Sequence, residues 1–439
     1  MAVTRSTAAE RPRAGRTQKT WRRNELLATV AAALVVTFGL HLVYKAKSAE
    51  LPEVEQGLTA KRLLNLNGLS AREDLLPALA LLPDAHSREE AARQIYYISG
   101  GLGNVGALAR IHGLFTNEQF RQLKPLFVVR TPGQFRSSFY RWSALFLAAF
   151  LLVHLWWTLR GFRGDQFLLP IVLLLCGAGL ILMIALRDPV RDNLLFVDFA
   201  QGAVGGCVLL AGLSMLDYER LLGKLSFVPL LASFALSVAL ILFGHGPGTS
   251  DAKVNLLGFQ PVEIIRLLLV LFLAGYFARR WDVLRHARET RPRLAKITSR
   301  VDIPPAEFTL PALLCAALSV VFFFLQRDMG PALVFACLFL LLYGMARGSA
   351  VVPAAGLALV MAGFLVGYAI GIPHTVSERV SMWLSPWDNQ VRGGDQLAHS
   401  LWAYATGGAT GMGTGLGDPQ VVPAAHTDLI LSALGEEWG

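Results

Sequence analysis

FLLPIVLLLCGAGLILMIAL, residues 167–186, decides the fold. It is a twenty-residue run without a charged side chain. About twenty apolar residues cross the hydrocarbon core of a bilayer, and only a helix satisfies its own backbone there within one segment. Comparable runs recur on both sides of it. They give nine expected spans: 25–44, 141–159, 167–186, 195–215, 225–244, 258–278, 308–326, 329–346 and 351–372. A further apolar segment after residue 429 reads as the start of a tenth. The 439-residue chain is 54% hydrophobic and 16% charged, with a mean hydropathy of +0.48. The fold class expected is therefore an all-α polytopic membrane protein.

The net charge of +9 does not point to nucleic acid. The basic residues lie in short stretches beside the apolar runs, where positive-inside asymmetry puts them. Residues 1–24 read as a disordered basic cytoplasmic tail, and 25–44 as an uncleaved transmembrane anchor running outward. Residues 45–140 hold amphipathic pieces and no span, so a small extracytoplasmic helical domain is expected there. LNLNGLSAREDLLPALALL (64–82) has apolar residues at helical spacing. YYISGGLGNVGALARI (96–111) has a glycine turn before a short helix, and the pair resembles a helix-hairpin-helix. Outside the cell, that arrangement points to a structural or partner-docking role. Residues 141–164 add a second, extra span, and 165–439 form the remaining membrane domain. Counting spans from the tail puts ARRWDVLRHARETRPRLAKITSR (278–300) in the cytoplasm, and it is the most basic loop of the chain. The same count puts the segment after 372 outside. Cys176, Cys207, Cys315 and Cys337 lie inside apolar runs without metal-ligand spacing and read as buried thiols.

The polar end of the chain, WLSPWDNQVRGGDQLAHSLWAYATGGATGMGTGLGDPQVVPAAHTDLILSALGEEWG (383–439), contrasts with everything before it. Acids and glycines beside spans mark a reaction or transport site. Asp388, Asp395, Asp418, His426 and Asp428 fall in this stretch, with a helix expected from about Leu397 to Thr406. GGATGMGTGLG (407–417) can bring backbone amides close to a ligand. Further back, Glu263 stands in the first turn of a span, either as a group facing cations or as an interfacial helix cap, with Arg266 placed to pair with it at i,i+3. Lys253, in the loop GHGPGTSDAKVNLLGF (244–259), reads as a phosphate-binding point charge or as a solvated lysine. Asp328 reads as an N-cap before Gly330 and Pro331. There is no P-loop, zinc spacing or nucleophile elbow.

Four of these stretches, in order, resemble motifs of the SEDS family (shape, elongation, division and sporulation). Gln260-Pro261-Val262-Glu263 is similar to its Gln-Pro-Ser-Glu, and Gln326-Arg327-Asp328-Met329-Gly330 to its Gln-Pro-Asp-Leu-Gly. Pro423 to Leu429 keeps His426-Thr427-Asp428, and Glu436-Glu437-Trp438-Gly439 is similar to Glu-Glu-Leu-Gly. The resemblance covers roughly 165 to 439 and implies a peptidoglycan glycosyltransferase. Such an enzyme polymerises lipid II, a disaccharide-pentapeptide on undecaprenyl pyrophosphate, beside a class B penicillin-binding-type transpeptidase. It works in cell-shape or cell-division wall synthesis at the outer face of the bacterial cytoplasmic membrane.

The chemistry implied is an inverting glycosyl transfer. A carboxylate takes the acceptor hydroxyl proton, and cations or N–H donors stabilise the leaving pyrophosphate. The family's aspartate position falls on Asn389, which cannot act as a base. Asp388 takes the role with the loop shifted by one residue, and Asp395 is the second candidate. Lys253, Glu263, Arg379, Arg392, Gln396, His426 and Asp428 are the expected substrate-binding residues. Gln260, Pro261, Asp328, Gly330, Glu436 and Glu437 are the expected structural motif residues. No cofactor is implied, and the sequence leaves room for a divalent cation without naming a metal. The partners expected are lipid II, the transpeptidase and membrane lipid, with no nucleic acid. Two other readings use the same residues: a lipid II flippase built on Glu263 and Arg266, and a non-catalytic scaffold of a wall-synthesis complex. Family members continue through about three more spans after Glu-Glu-Leu-Gly, so the expectation is a divergent, C-terminally truncated branch.

Overall fold

The structure is a computed structural model. It describes residues 22–82, 84–111, 114–217, 227–246, 253–256, 260–286, 306–326, 329–371, 374–388 and 394–439. The basic tail up to residue 21 and most of the 278–300 loop lie outside them. Helices account for nearly all of the regular structure, and the sheet is one pair of two-residue strands. Seven helices among the described residues are long and apolar enough to cross a membrane. They are α1 (Arg23–Ser48), α5 (Pro132–Arg160), α6 (Leu168–Ala185), α7 (Leu195–Leu213), α9 (Pro261–His286), α11 (Met329–Arg347) and α12 (Val351–Ile370). Two shorter apolar helices, α8 (Val228–Phe243) and the Ala312–Leu325 part of α10 (Ala306–Leu325), occupy the other two expected spans. The protein is an all-α polytopic membrane protein. Many large apolar side chains on these helices face outward, Leu175 and Leu359 among them. A water-soluble protein would hide such faces, and a bilayer solvates them.

The chain divides into two compact units, Met1–Met215 with Ser381–Gly439, and Leu216–Val380. In the first, α1 packs along α6 and α5 along α7. Their shared core includes Val36, Leu40, Phe146, Phe150, Trp157, Leu173 and Leu180. Helix α5 starts at Pro132, nine residues before the expected start. Thr131 accepts from the Gln134 amide while Gln134 Oε1 accepts from the Thr131 amide, and Pro132 takes the first position. This reciprocal cap starts the helix in polar sequence that hydropathy alone leaves to the preceding loop. Helix α5 stops at Gly161, whose left-handed φ of +65° is the conformation that glycine adopts at least cost.

The segment between α1 and α5 has its own core, with Leu66, Leu75, Leu79, Leu82, Ile95, Val105, Leu108, Leu123 and Phe127 buried together. It contains α2 (Leu51–Thr59), α3 (Ala85–Ile98) and α4 (Asn117–Leu123), and the parallel pair β1 (Leu64–Asn65) and β2 (Phe127–Val128). Residues 64–82 are not one amphipathic helix. They make three 3₁₀ turns, Leu66–Gly68, Arg72–Leu75 and Ala78–Leu81. Gly68 and Pro77 interrupt the α-helical ladder, yet the leucines at helical spacing still turn inward. The short helix after the glycine turn is likewise 3₁₀, Val105–Arg110. This segment is bolted to the α6–α7 loop. Val105 N donates to Arg191 O and Val129 N to Val190 O, at 2.8 and 3.0 Å. Arg130 donates to Pro189 O, Asp192 O and Gly103 O.

In the second unit α9 packs on α8 and α11, α10 on α11, and α11 on α12. Its core is aromatic, with Phe272, Tyr276, Phe277, Phe323, Phe335 and Phe339 buried.

Candidate functional site

The polar end of the chain folds as a helical hairpin. Helix α13 (His374–Leu384) crosses the boundary between the units at Val380, α14 (Gly394–Gly407) follows, and α15 (Ile430–Trp438) packs back against α14 and against α6. Contact between the hairpin helices is close because glycines face each other. A Cβ on Gly407 would stand 1.9 Å from Gly435 O, and one on Gly435 would stand 2.4 Å from Tyr404 Cδ1. The Ser400 and Ser432 hydroxyls bond across the same contact, both buried.

The glycine-rich loop from 408 to 418 wraps the end of α15. Met412 N donates to Glu436 O at 2.9 Å, Gly413 N to Glu437 O at 3.0 Å and Asp418 N to Glu436 Oε1 at 2.8 Å. Gly415 N donates to Glu437 Oε2, and Trp438 Nε1 to Thr414 Oγ1 at 3.1 Å. Gly411 has φ of +74°, and a Cβ there would meet Glu437 O at 2.3 Å, so no other residue fits. The sequence reading gave these amides to a pyrophosphate. In the structure Gly411, Met412, Gly413, Gly415 and Asp418 spend them on the protein's own carbonyls and carboxylates. Glu436 and Glu437 are 6% and 1% exposed. Carboxylates this buried are costly unless hydrogen-bonded or paired, and the loop amides supply those bonds.

Asp388 and Asp395 flank the stretch 389–393, which lies outside the described residues together with Asn389 and Arg392. Asp388 N donates to Ser385 O at 3.3 Å, closing a turn at Pro386 and Trp387. Trp387 lies 6.0 Å from Trp402, and a Cβ on Gly394 would be 3.3 Å from Asp388 O. The Asp388 main chain therefore lies beside Gly394, the residue that precedes Asp395. Both aspartates are exposed, as is Gln396, and the Asp395 carbonyl accepts from His399 Nδ1 at 2.7 Å. His426 and Asp428 are exposed in the turn before α15. These acids are exposed, whereas the two buried glutamates hold the loop.

In the second unit Lys253 donates its ammonium to Ile241 O in the last turn of α8, and its amide to Gln326 O at 2.8 Å. The cation thus caps a helix C-terminus. Glu263 and Arg266 pair at 2.7 Å near the start of α9, at an exposed position. Pro261 is buried and Gln260 exposed at that helix start; Gly330 is in the first turn of α11, and Arg379 is exposed on α13. Asp328 lies outside the described residues. Among the described residues no three His, Cys, Asp or Glu side chains gather as a metal-binding group. All four cysteines are free thiols.

One cluster escaped the sequence reading. Glu25, fully buried on α1, accepts from Arg22 Nε at 2.6 Å and sits 2.8 Å from His154 Nδ1 on α5. Arg22 also donates to the carbonyls of Phe162, Gly164 and Asp165. A lone acid and a lone histidine inside apolar helices were the available signal. Their 129-residue separation hid the pairing.

Fold and hairpin together define a multi-pass helical membrane protein with an acid-bearing loop ahead of a glycine-wrapped helical pair. The family model described as "Cell cycle protein", that of FtsW, RodA and SpoVE, matches residues 166–439. The chain belongs to this family. It is 29% identical over 318 residues to the "Peptidoglycan glycosyltransferase RodA" of Mycobacterium leprae (strain TN), covering 68% of this chain and 65% of that protein. It is 30% identical over 311 residues to the RodA of Mycobacterium tuberculosis (strain ATCC 25618 / H37Rv), covering 67% and 63%. The "Probable peptidoglycan glycosyltransferase FtsW" of Haemophilus influenzae is 33% identical over 216 residues, covering 47% and 49%. The chain spans less than two thirds of the length of these relatives. No solved structure matches the chain.

Proposed function

We propose that the protein is a peptidoglycan glycosyltransferase that polymerises lipid II at the outer face of the cytoplasmic membrane, in cell-shape or cell-division wall synthesis. The observation that carries this reading is the exposed acid pair Asp388 and Asp395, with the Asp388 main chain beside Gly394, on the part of the chain the family model matches. The names of the RodA and FtsW relatives support it.

In this account the acceptor sugar hydroxyl attacks the anomeric carbon of the donor sugar. Asp388 takes the hydroxyl proton as the new C–O bond forms, and the bond to the undecaprenyl pyrophosphate breaks with its electron pair on the phosphate oxygen. Inversion needs no covalent sugar–enzyme intermediate. Lys253, Arg379 and Arg392 act on the departing pyrophosphate as cations. Glu263, Gln396, His426 and Asp428 bind the substrate, with Asp395 the second candidate base. Gln260, Pro261, Asp328, Gly330, Glu436 and Glu437 keep the framework. By span count the tail is cytoplasmic, the 45–140 segment extracytoplasmic and the 386–396 loop outside. A class B penicillin-binding-type transpeptidase is the proposed partner.

The test is polymerisation of labelled lipid II by the purified full-length protein, with Asp388→Ala and Asp395→Ala beside it. Glycan strands from wild type and Asp395→Ala but not from Asp388→Ala support the assignment. Movement of lipid II across vesicles without polymerisation would instead select a flippase.

A further inference from the structure

Gln326 follows the last residue of α10, and its main-chain N donates to Phe322 O at 3.0 Å, continuing the last turn of that helix. It is 0% exposed. Among the described residues, neither Oε1 nor Nε2 of its carboxamide has a hydrogen-bond partner. Ser233 on α8 and Ser319 on α10 are buried too, but each hydroxyl donates to a carbonyl of its own helix. A carboxamide brings two N–H donors and an accepting oxygen, and enclosing it unpaired is destabilising.

The surroundings of Gln326 are polar on one side. Helices α8 and α10 pack together, with the Phe234 and Phe322 rings 5.1 Å apart. Beyond α8 the chain turns back: His245 N donates to Asn255 O and Asn255 N to His245 O, each at 3.0 Å. This bridge leads Lys253 past the end of α10, where its main-chain N donates to Gln326 O at 2.8 Å. Gln326 and the lysine assigned to the pyrophosphate are therefore neighbours. The two carboxamide atoms also constrain what they can hold. An ionised phosphate only accepts, so it would satisfy Nε2 and leave Oε1 unpaired. A sugar hydroxyl or an amide group both donates and accepts, and it can satisfy both atoms.

We propose that Gln326 is a substrate-binding residue that reads the sugar–peptide head of the lipid-linked substrate, through a hydroxyl or amide group near the pyrophosphate on Lys253. The identity of that head group rests on the glycosyltransferase reading; the need of the carboxamide for a ligand that both donates and accepts does not. The unpaired amide destabilises the ligand-free protein and is satisfied on binding. A lipid without the head group cannot make that interaction.

The experiment uses the full-length protein in lipid nanodiscs, as wild type, Gln326→Leu and Gln326→Met. Dissociation constants are measured for lipid II and for undecaprenyl pyrophosphate, which keeps the lipid and both phosphates but has no sugar. Thermal unfolding is followed without ligand, and polymerisation is measured against lipid II concentration. Gln326→Leu should weaken lipid II binding about tenfold, the scale of two neutral hydrogen bonds, and leave undecaprenyl pyrophosphate binding unchanged. It should unfold no lower than wild type, because the leucine removes an unpaired polar group. KM should rise with kcat unchanged, the signature of lost uniform binding. Gln326→Met should behave in the same way, and it decides the matter should the branched leucine fail to fold. Unchanged lipid II binding in the folded variants overturns the proposal, as does equal weakening of both lipids. Should wild type bind both lipids and make no glycan, the glycosyltransferase reading fails, while the two dissociation constants still decide the role of Gln326.

Discussion

Replacing Gly407 with alanine tests the hairpin geometry directly. The new methyl group would stand 1.9 Å from Gly435 O, and 2.8 Å from both the Gly435 carbonyl carbon and Glu436 Cα. All three are main-chain atoms, so no rotamer change relieves the clash. Helices α14 and α15 must part by about 1.5 Å before the methyl reaches ordinary contact distance. Overpacking of this kind costs about 1–3 kcal/mol, and a rigid main-chain clash belongs at the upper end. About 3 kcal/mol is roughly a hundredfold in the equilibrium between packed and opened hairpin. The displaced α15 takes Glu436 and Glu437 away from the amides of Met412, Gly413, Gly415 and Asp418. Hydrogen exchange across 411–418 and 430–438 should therefore rise together, while the α1–α6 core keeps its protection. Gly205→Ala on α7 is the control, since nothing lies within 4 Å of its added Cβ. Unchanged protection in Gly407→Ala, or equal loss in Gly205→Ala, would refute the packing argument.

Other outcomes follow from single contacts. Arg22→Met leaves Glu25 buried with only His154 beside it. Breaking a buried ion pair from one side costs about 3–5 kcal/mol, so this variant should lose most of its folded yield in detergent; the Arg22→Met/Glu25→Leu pair should recover part of it. A single variant as stable as wild type would contradict the buried network. At the start of α3 the Ser87 amide and hydroxyl both bond the Asp84 carboxylate, which holds it below the usual carboxylate range. The ionised cap stabilises the helix above the ordinary aspartate pKa of about 3.9 and is lost as pH falls through the lower folded value. Exchange in the first turn of α3 should rise across that window in wild type but not in Asp84→Asn; a pH-independent first turn would count against the cap.

The sequence made the spans legible because twenty apolar residues have few alternatives in a bilayer. It made Thr131-Pro132-Gln134 legible as a helix start only to a reader who weighs caps above hydropathy. Period alone found which leucines of 64–82 turn inward, yet it misjudged the helix type, because Gly68 and Pro77 break the ladder while leaving the face intact. The exposed acids and the glycine loop were visible as a contrast with the spans around them. What the glycines do was not visible. Glycine composition is equally consistent with amides aimed at a ligand and amides folded onto Glu436 and Glu437, and only the path of α15 separates the two. Arg22, Glu25 and His154 stayed hidden for a similar reason. Each is ordinary at a span end, and their meaning comes from helices brought together across more than a hundred residues.

The central claim is that the 386–396 loop carries the base of a glycan polymerase. The most direct measurement is the length distribution of strands made from labelled lipid II by the full-length protein in nanodiscs, wild type against Asp388→Ala. The account predicts strands from the first and none from the second, with the two proteins equally protected in hydrogen exchange. Strands of equal length and amount from both would contradict it.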